Sequence, residues 1–435
     1  MSLSLGRRLL LAFYSALLWL LVPVTLYHLV WRGLRQREYL LRWSERYAQL
    51  DSLPDLPPGA LWVHAVSVGE VNAAIPLVNA LRQRHPGRPL LITTITPTGS
   101  ARVRALWGDA VHHVYLPYDL HGMVRRFLER VRPALAVVIE TELWPNLFVA
   151  CARADVPVVI ANARLSERSL RGYRWMASLI RLALSGVRLI AAQSEADAAR
   201  FRVLAGDDVR IQVTGNLKYD QPLPQASREE AIGWRKACGA RPIWVAASTH
   251  ADEEAAVLEA HQRLRETHPA ALLLWAPRHP ERFGAVAARV QDAGLALRRR
   301  SVERSPDARC DVFLIDSLGE LPGFLAAGDV AFVGGSLCDV GGHNLLEPAA
   351  LGVPVLSGPH TFNFVEMTAL LKDVGALEIV ADADQLATAI DWLLTHPDQA
   401  RARGRAGRQR IDRERGALER TLALIDDVAG LRRIA

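Results

Sequence analysis

The sequence predicts an α/β protein of two doubly wound parallel sheets, preceded by an apolar N-terminal helix. Three observations predict it. Short apolar runs alternate with helical patterns from residue 61 onward, joined by brief connections, as parallel strands with crossover helices require. Nearly every run stops at a loop of polar residues or glycines, the composition expected where ligands meet the carboxyl ends of strands. Residues 9–30 contain no Asp, Glu, Lys or Arg, which sets them apart from all that follows.

A length of 435 residues exceeds one ordinary core and points to two domains plus extra elements. With 50% hydrophobic residues, burial suffices for both. The four cysteines (Cys151, Cys238, Cys310 and Cys338) lie far apart, without CxxC or Cys/His metal spacing. That argues against a disulfide framework and a zinc site, and for a reducing compartment. The net charge of +6 comes largely from two arginine clusters. Arg32, Arg35, Arg37, Arg42 and Arg46 follow the apolar run and suit an anionic membrane surface. The cluster over residues 401–415 is interrupted by Asp412 and Glu414 and reads equally as a solvated helix face. Neither accompanies a nucleic-acid motif or an aromatic-interleaved groove, so no nucleic-acid partner is expected.

Taken in order, residues 9–30 are long enough to cross a hydrocarbon core of about 30 Å. The run is too long for a signal peptide, and Trp31-Arg32-Gly33 follows it in place of a small-residue cleavage site. It reads as an uncleaved anchor, with Pro23 leaving open a helix lying partly in the interface. More arginines follow the run than precede it, which puts the bulk of the chain on the cytoplasmic side. Trp31, Tyr39, Trp43 and Tyr47 suit the headgroup layer. Residues 1–50 are thus expected to form the anchor and a basic juxtamembrane segment, with Pro54, Pro57 and Pro58 marking a linker.

A first Rossmann-like domain is expected over residues 51–220, with strands at 61–66, 90–94, 114–116, 134–139, 156–160, 187–191 and 211–213. Residues 221–227 read as a linker. A second such domain is expected over residues 228–435, with strands at 243–247, 271–276, 312–315, 330–333 and 353–356; its Arg-rich tail from about residue 400 reads as helical, with packing back across both domains left open. Two Rossmann-like halves facing across a cleft fit a transferase with donor and acceptor on opposite walls. No GxxxxGK(S/T) loop occurs and no GxGxxG follows a strand, which disfavours P-loop hydrolysis and dinucleotide oxidoreduction.

The stretch over residues 330–360 organises the second half. Its strand stops at Gly334-Gly335, and Gly341-Gly342 precede His343, Asn344 and a helix over residues 345–351. A helix entered from a Gly-rich turn offers N–H groups to an anion, and Glu347, one turn after Asn344, is placed to take ribose hydroxyls. The alternative is a capping Asn and a solvated Glu; the two glycine pairs with Ser336 and His343 favour a sugar-nucleotide site. Arg278 follows a strand where a guanidinium can pair a phosphate in a fork. Gly319 and Glu320 follow another, at a bend whose backbone can read a base edge. Asp382-Ala383-Asp384 has a metal-binding spacing, but it precedes a helix, where capping is the expected role; no metal is expected.

In the first half, Glu70 directly follows a strand and opens a helix, so its carboxylate can take a proton from an attacking hydroxyl. Stabilising the helix dipole is the alternative. Glu140 and Glu142 straddle Thr141 at another strand end, so one of them is expected to face the crevice. Lys218 can neutralise developing negative charge or be a plain surface lysine.

HAVSVGE (residues 64–70), ETELWPN (140–146), NARLSERS (162–169), GNLKYD (215–220), PRHPERF (277–283) and GGHNLLEPA (341–349) resemble motifs of the 3-deoxy-D-manno-octulosonic acid (Kdo) transferases of lipopolysaccharide synthesis. The resemblance spans the chain. It implies a GT-B fold, CMP-Kdo as donor, the lipid A precursor (lipid IVA) as acceptor, and inverting transfer without metal or cofactor at the cytoplasmic face of the inner membrane. It also implies that Glu70 is the general base and that Glu140 and Lys218 stabilise the transition state. Pro277, Arg278, Gly319, Glu320, Leu321, Asn344, Leu345, Leu346 and Glu347 would then hold CMP. Two rivals remain on the same residues. A sugar-nucleotide 2-epimerase of the same fold would need no membrane anchor, and a non-catalytic membrane-tethered scaffold would tolerate loss of Glu70.

Overall fold

Parallel strands buried on both faces need apolar runs and crossover helices, and both halves of the chain supply them. The computed structural model describes residues 4–221, 225–307 and 309–430. The chain forms two units: the first runs to Gln221 and resumes at Arg415, and the second ends at Glu414.

The first unit holds β1 (Ala60–His64), β2 (Leu90–Thr94), β3 (His112–Tyr115), β4 (Pro133–Ile139), β5 (Val158–Ala163), β6 (Leu189–Ala192) and β7 (Arg210–Val213). They form one parallel sheet in the order β3-β2-β1-β4-β5-β6-β7. Successive side chains alternate between its faces. Trp62 joins Phe127, Phe148 and Phe201 on one side, while Leu61 and Val63 join Leu77 and Leu81 on the other. Strand order reverses between β1 and β4, so their carboxyl ends flank the switch point where open α/β sheets bind ligands.

The second unit holds β8 (Ile243–Thr249), β9 (Leu272–Pro277), β10 (Leu297–Arg299), β11 (Val312–Leu314), β12 (Val330–Val333), β13 (Val355–Ser357) and β14 (Leu377–Ile379). Its parallel sheet is ordered β10-β11-β9-β8-β12-β13-β14, with the reversal between β8 and β12. Trp244, Trp275 and Phe332 fill one face, and Phe313 and Phe324 the other. The edge strands β10 and β14 were not expected. Each has three residues, and the sequences LRR and LEI carry no apolar run to announce them.

Three expectations need correction. The second domain was expected to run to residue 435, but Ala417–Ala429 is a helix of the first unit, with Ala417, Leu422 and Ile425 in its core. Asp220 caps this helix, accepting from Gly416 N–H and Leu418 N–H at 2.7 Å each, and Arg84 pairs with Glu419 at 2.6 Å. The linker over residues 221–227 is shorter than expected, because a helix begins at Gln225; residues 222–224 lie outside the described residues.

The third concerns the basic segment before residue 50. Arg46 is 4% exposed, and it donates to Ile95 O at 2.6 Å with its guanidinium over the Tyr115 ring. Arg42 binds both oxygens of buried Glu45 at 2.7 and 2.8 Å, and Glu45 accepts from Tyr115 N–H at 2.8 Å. These two arginines hold the segment onto the first sheet and are not available to headgroups. Arg32, Arg35 and Arg37 remain on the surface.

The N-terminal helix, Leu5–Arg35, passes through Pro23 without a break. One stripe of it lies against the first unit. Leu11 packs on Val149 and Leu182, Tyr14 Oη donates to Asp119 at 3.1 Å, and Ser15 Oγ donates to Asn146 at 3.1 Å. Thr25 reaches Tyr47 at 3.4 Å, and Leu29 and Gly33 are buried further along. The opposite stripe, with Leu9, Phe13, Leu20, Val24 and Tyr27, is exposed. The arginine-rich helix Pro397–Glu414 is laced with ion pairs, among them Arg403–Glu378 and Arg410–Glu414. It packs closely through Gly404, where a Cβ would lie 1.9 Å from Gly352 O.

Candidate active site

The first unit places Glu70, Glu140, Glu142 and Lys218 at the carboxyl edge of its sheet. Ser67 ends the loop after β1, and the helix Val68–Arg84 begins there, so Glu70 sits in the first turn. Its Oε2 accepts from Val66 N–H at 2.8 Å, which turns the carboxyl back over the end of β1. Burial raises its pKa from 4.5 to about 8, with the neighbouring Glu142 and Glu140 carboxylates adding to the rise. Burial likewise raises Glu142 to about 7, and Glu140 contributes. Glu140 itself lies beside Lys218, Nζ to Oε1 at 3.8 Å. Of the pair that straddles Thr141, both members therefore bear on Glu70.

Two non-glycine residues here adopt the left-handed backbone region, Glu140 at φ +62° and Asn162 at φ +55°. Such strain persists only where surroundings hold it, and it gathers at functional sites. Asn162 is fully buried and its Oδ1 accepts from Leu217 N–H at 3.0 Å, so β5 fixes the turn that carries Lys218. Asn216 Oδ1 accepts from Lys218 N–H at 3.0 Å within that turn.

The second unit brings its residues to the equivalent edge. Pro277 ends β9, and the exposed Arg278 follows, its guanidinium without an ion pair among the described residues. Asn344 Nδ2 donates to Glu347 Oε1 at 3.0 Å, while its Oδ1 caps Leu346 N–H at 3.1 Å. Burial raises the Glu347 pKa, opposed by that hydrogen bond. Leu345 and Leu346 are buried beneath them. Gly319 (φ +88°) and Leu321 flank Glu320, whose carboxylate is held by Arg300 at 2.6 Å and by Ser317.

The Gly-rich turn does not offer the free N–H groups expected of it. Glu253, 1% exposed, fills it: its carboxylate accepts from His250 N–H at 3.0 Å, Gly335 N–H at 2.5 Å, Ser336 N–H at 3.3 Å and Leu337 N–H at 3.2 Å. The helix Leu346–Leu351 has only six residues, and Asn344 already occupies Leu346 N–H, so it offers no anion site at its end. Beside Arg278 lies a half-buried histidine pair. His250 Nε2 and His343 Nε2 are 2.8 Å apart with rings stacked, and His279 meets His250 edge-on.

Sequence reasoning weighed His343 only as part of its stretch and assigned no role to Glu253, His250 or Asn162. A polar loop after every strand was the available signal; partner identity was not. Asp382 caps the helix Ala383–Thr395, accepting from Gln385 N–H at 2.9 Å, and Asp384 pairs with Arg263. Among the described residues no group of three or more His, Cys, Asp or Glu is arranged to hold a metal ion.

Residues 41–221 match the family model of 3-deoxy-D-manno-octulosonic-acid transferases, and residues 296–410 match that of glycosyl transferases group 1. The 3-deoxy-D-manno-octulosonic acid transferase of Haemophilus influenzae is 41% identical over 95% of this chain and 97% of its own. That of Bordetella pertussis is 40% identical over 92% and 95%. Among solved structures, UDP-GlcNAc 2-epimerase from Neisseria meningitidis superposes with a TM-score of 0.54 at 15% identity, over 84% of this chain and 99% of that one. That likeness is one of fold alone, and the two seven-stranded parallel sheets are a GT-B fold. By its near full-length identity to curated relatives, the chain belongs to the 3-deoxy-D-manno-octulosonic acid transferase family of glycosyltransferases.

Proposed function

We propose that the chain transfers Kdo from CMP-Kdo to a sugar hydroxyl of the lipid A precursor lipid IVA, with inversion and without a metal ion. The observation that carries this is Glu70, a carboxyl raised to about 8 at the switch point of the first sheet. A base works best with its pKa near the operating pH. Glu70 takes the proton of the acceptor hydroxyl, whose oxygen attacks the anomeric carbon from the face opposite CMP. Lys218, beside Glu140, meets negative charge on the sugar as the bond forms.

On this reading residues 51–220 bind the acceptor and residues 228–414 the donor. Arg278 pairs the CMP phosphate and Glu347, oriented by Asn344, takes the ribose hydroxyls. With the Glu320 carboxylate engaged by Arg300, the backbone from Gly319 to Leu321 reads the base. Pro277, Leu345 and Leu346 shape the floor beneath the nucleotide.

The apolar helix serves as an anchor at the cytoplasmic face of the inner membrane, lying in the interface. Contacts of Leu11, Tyr14, Ser15 and Thr25 with the first unit support this, since a helix held along its length is not free to cross the bilayer. Its outward apolar stripe and Arg32, Arg35 and Arg37 suit anionic lipid.

Incubating the detergent-solubilised chain with CMP-Kdo and lipid IVA, followed by mass spectrometry, tests the activity. Addition of Kdo mass to the lipid supports it, and NMR of the new linkage reads inversion. Absence of any product with CMP-Kdo refutes it.

A further inference from the structure

The histidine pair of the second unit is unlike a structural contact. His250 directly follows β8, and His343 closes the Gly-rich loop that leads from β12 to the helix Leu346–Leu351; β8 and β12 flank the switch point of their sheet. Their rings lie over Gly335, where a Cβ would stand 2.8 Å from His343 Cδ2; with φ +67°, only glycine serves there. Buried structural imidazoles usually meet a carboxylate or a carbonyl. Here the nearby Glu253 carboxylate is occupied by four backbone N–H groups, and each imidazole Nε2 faces the other at 2.8 Å. Such a contact holds one proton between two nitrogens. His343 directly precedes Asn344 and the ribose carboxylate Glu347, and Arg278 is close enough to depress the proton affinity of both imidazoles.

We propose that His343, backed by His250, donates a proton to the nucleotide phosphate as it leaves the sugar. The inference rests on a CMP-sugar donor. In the free protein the pair is neutral near pH 7. Burial lowers His343 to about 4 and lowers His250, with Arg278 and His279 acting in the same direction on both. Glu253 and Asp252, which face His250, oppose this. An arriving phosphate diester monoanion offsets Arg278 and raises the proton affinity of the pair, which then takes one proton from solvent. When the anomeric C–O bond breaks, its electron pair stays on the phosphate oxygen, and the proton moves to that oxygen from His343 Nδ1, the ring nitrogen that His250 does not engage. The pair returns to neutral and CMP departs as a monoanion. The proton from the acceptor hydroxyl goes separately to Glu70.

Proton uptake on binding CMP itself tests this without turnover. Titration calorimetry of the full chain near pH 7, in two buffers of different ionisation heat, should give net proton uptake on CMP binding beyond that from the phosphate's own ionisation. His343→Gln should abolish most of that uptake while changing CMP affinity by less than about tenfold, and His250→Gln should reduce it. Turnover of CMP-Kdo by His343→Gln should fall about 10²–10⁴-fold with little change in donor KM. In His343→Ala, added imidazole should restore part of the rate. Undiminished proton uptake in His343→Gln, or turnover near wild type, overturns the proposal; so does equal loss of thermal stability and CMP binding in both Gln variants. If wild type binds CMP but transfers nothing from CMP-Kdo, the donor assignment fails, and the proton count still decides the role of the pair.

Discussion

Replacing Glu70 by Gln should raise stability and lower activity together, with a pH dependence that separates the two. Burial, with Glu142 and Glu140, lifts the Glu70 pKa from 4.5 to about 8. A carboxyl raised in this way is stabilised in its protonated form, so ionising it destabilises the fold. The penalty is absent below about pH 4.5, grows through the interval, and is complete above about pH 8. At about 1.4 kcal/mol per pH unit the ceiling is about 5 kcal/mol. Water at the half-buried carboxyl reduces the expected value to about 2 kcal/mol. Gln keeps an acceptor for Val66 N–H and carries no charge. Glu70→Gln should therefore raise Tm by roughly 4–8 °C above about pH 8 and leave it unchanged near pH 4.5, read by calorimetry. Turnover of lipid IVA should fall roughly 10²–10⁴-fold, since an amide accepts no proton. In wild type, kcat/KM for the acceptor should climb about tenfold per pH unit up to about pH 8, because only ionised Glu70 acts. Near-normal turnover in Glu70→Gln, or a Tm gain that is the same at all pH, refutes the reasoning.

Arg278→Ala and Glu347→Ala should each weaken CMP, the first through the phosphate and the second through the ribose, by about tenfold or more in calorimetry; unchanged affinity removes that residue from the site. EDTA should leave transfer intact, and a clear loss restored by a divalent cation would overturn metal-free transfer. Deleting residues 1–30 uncovers Val149 and Leu182 and removes Tyr14 from Asp119, a carboxyl that burial raises to about 7. The truncated chain should unfold at lower temperature yet bind CMP normally. High salt should release it from anionic vesicles, since Arg32, Arg35 and Arg37 are left without the apolar stripe, while the full chain stays bound.

The sequence by itself determined the two α/β halves, the apolar helix and the edge on which chemistry gathers. Buried parallel strands require uninterrupted apolar runs such as those of β4 and β12, and ligand loops follow their carboxyl ends, so the strand-end positions of Glu70, Arg278 and the Glu140/Glu142 pair were legible from position, while the choice of Glu140 within that pair came only from the family resemblance. Tertiary structure decided the partnerships. Arg42 and Arg46 look like headgroup ligands in a basic stretch, and only the fold shows Glu45 and Tyr115 receiving them. The helix Ala417–Ala429 has no sequence mark of the sheet it returns to; Asp220, nearly two hundred residues earlier, caps it. Glu253 carried no expectation from the sequence, and the fold makes it the anchor of a backbone turn 82 residues away. His250 and His343 lie 93 positions apart and meet because β8 and β12 are neighbours at the switch point. Local pattern encodes which residues form a strand and where it ends, because those depend on nearby side chains. Which strand ends face each other depends on sheet order, and sheet order is settled only when the whole core packs.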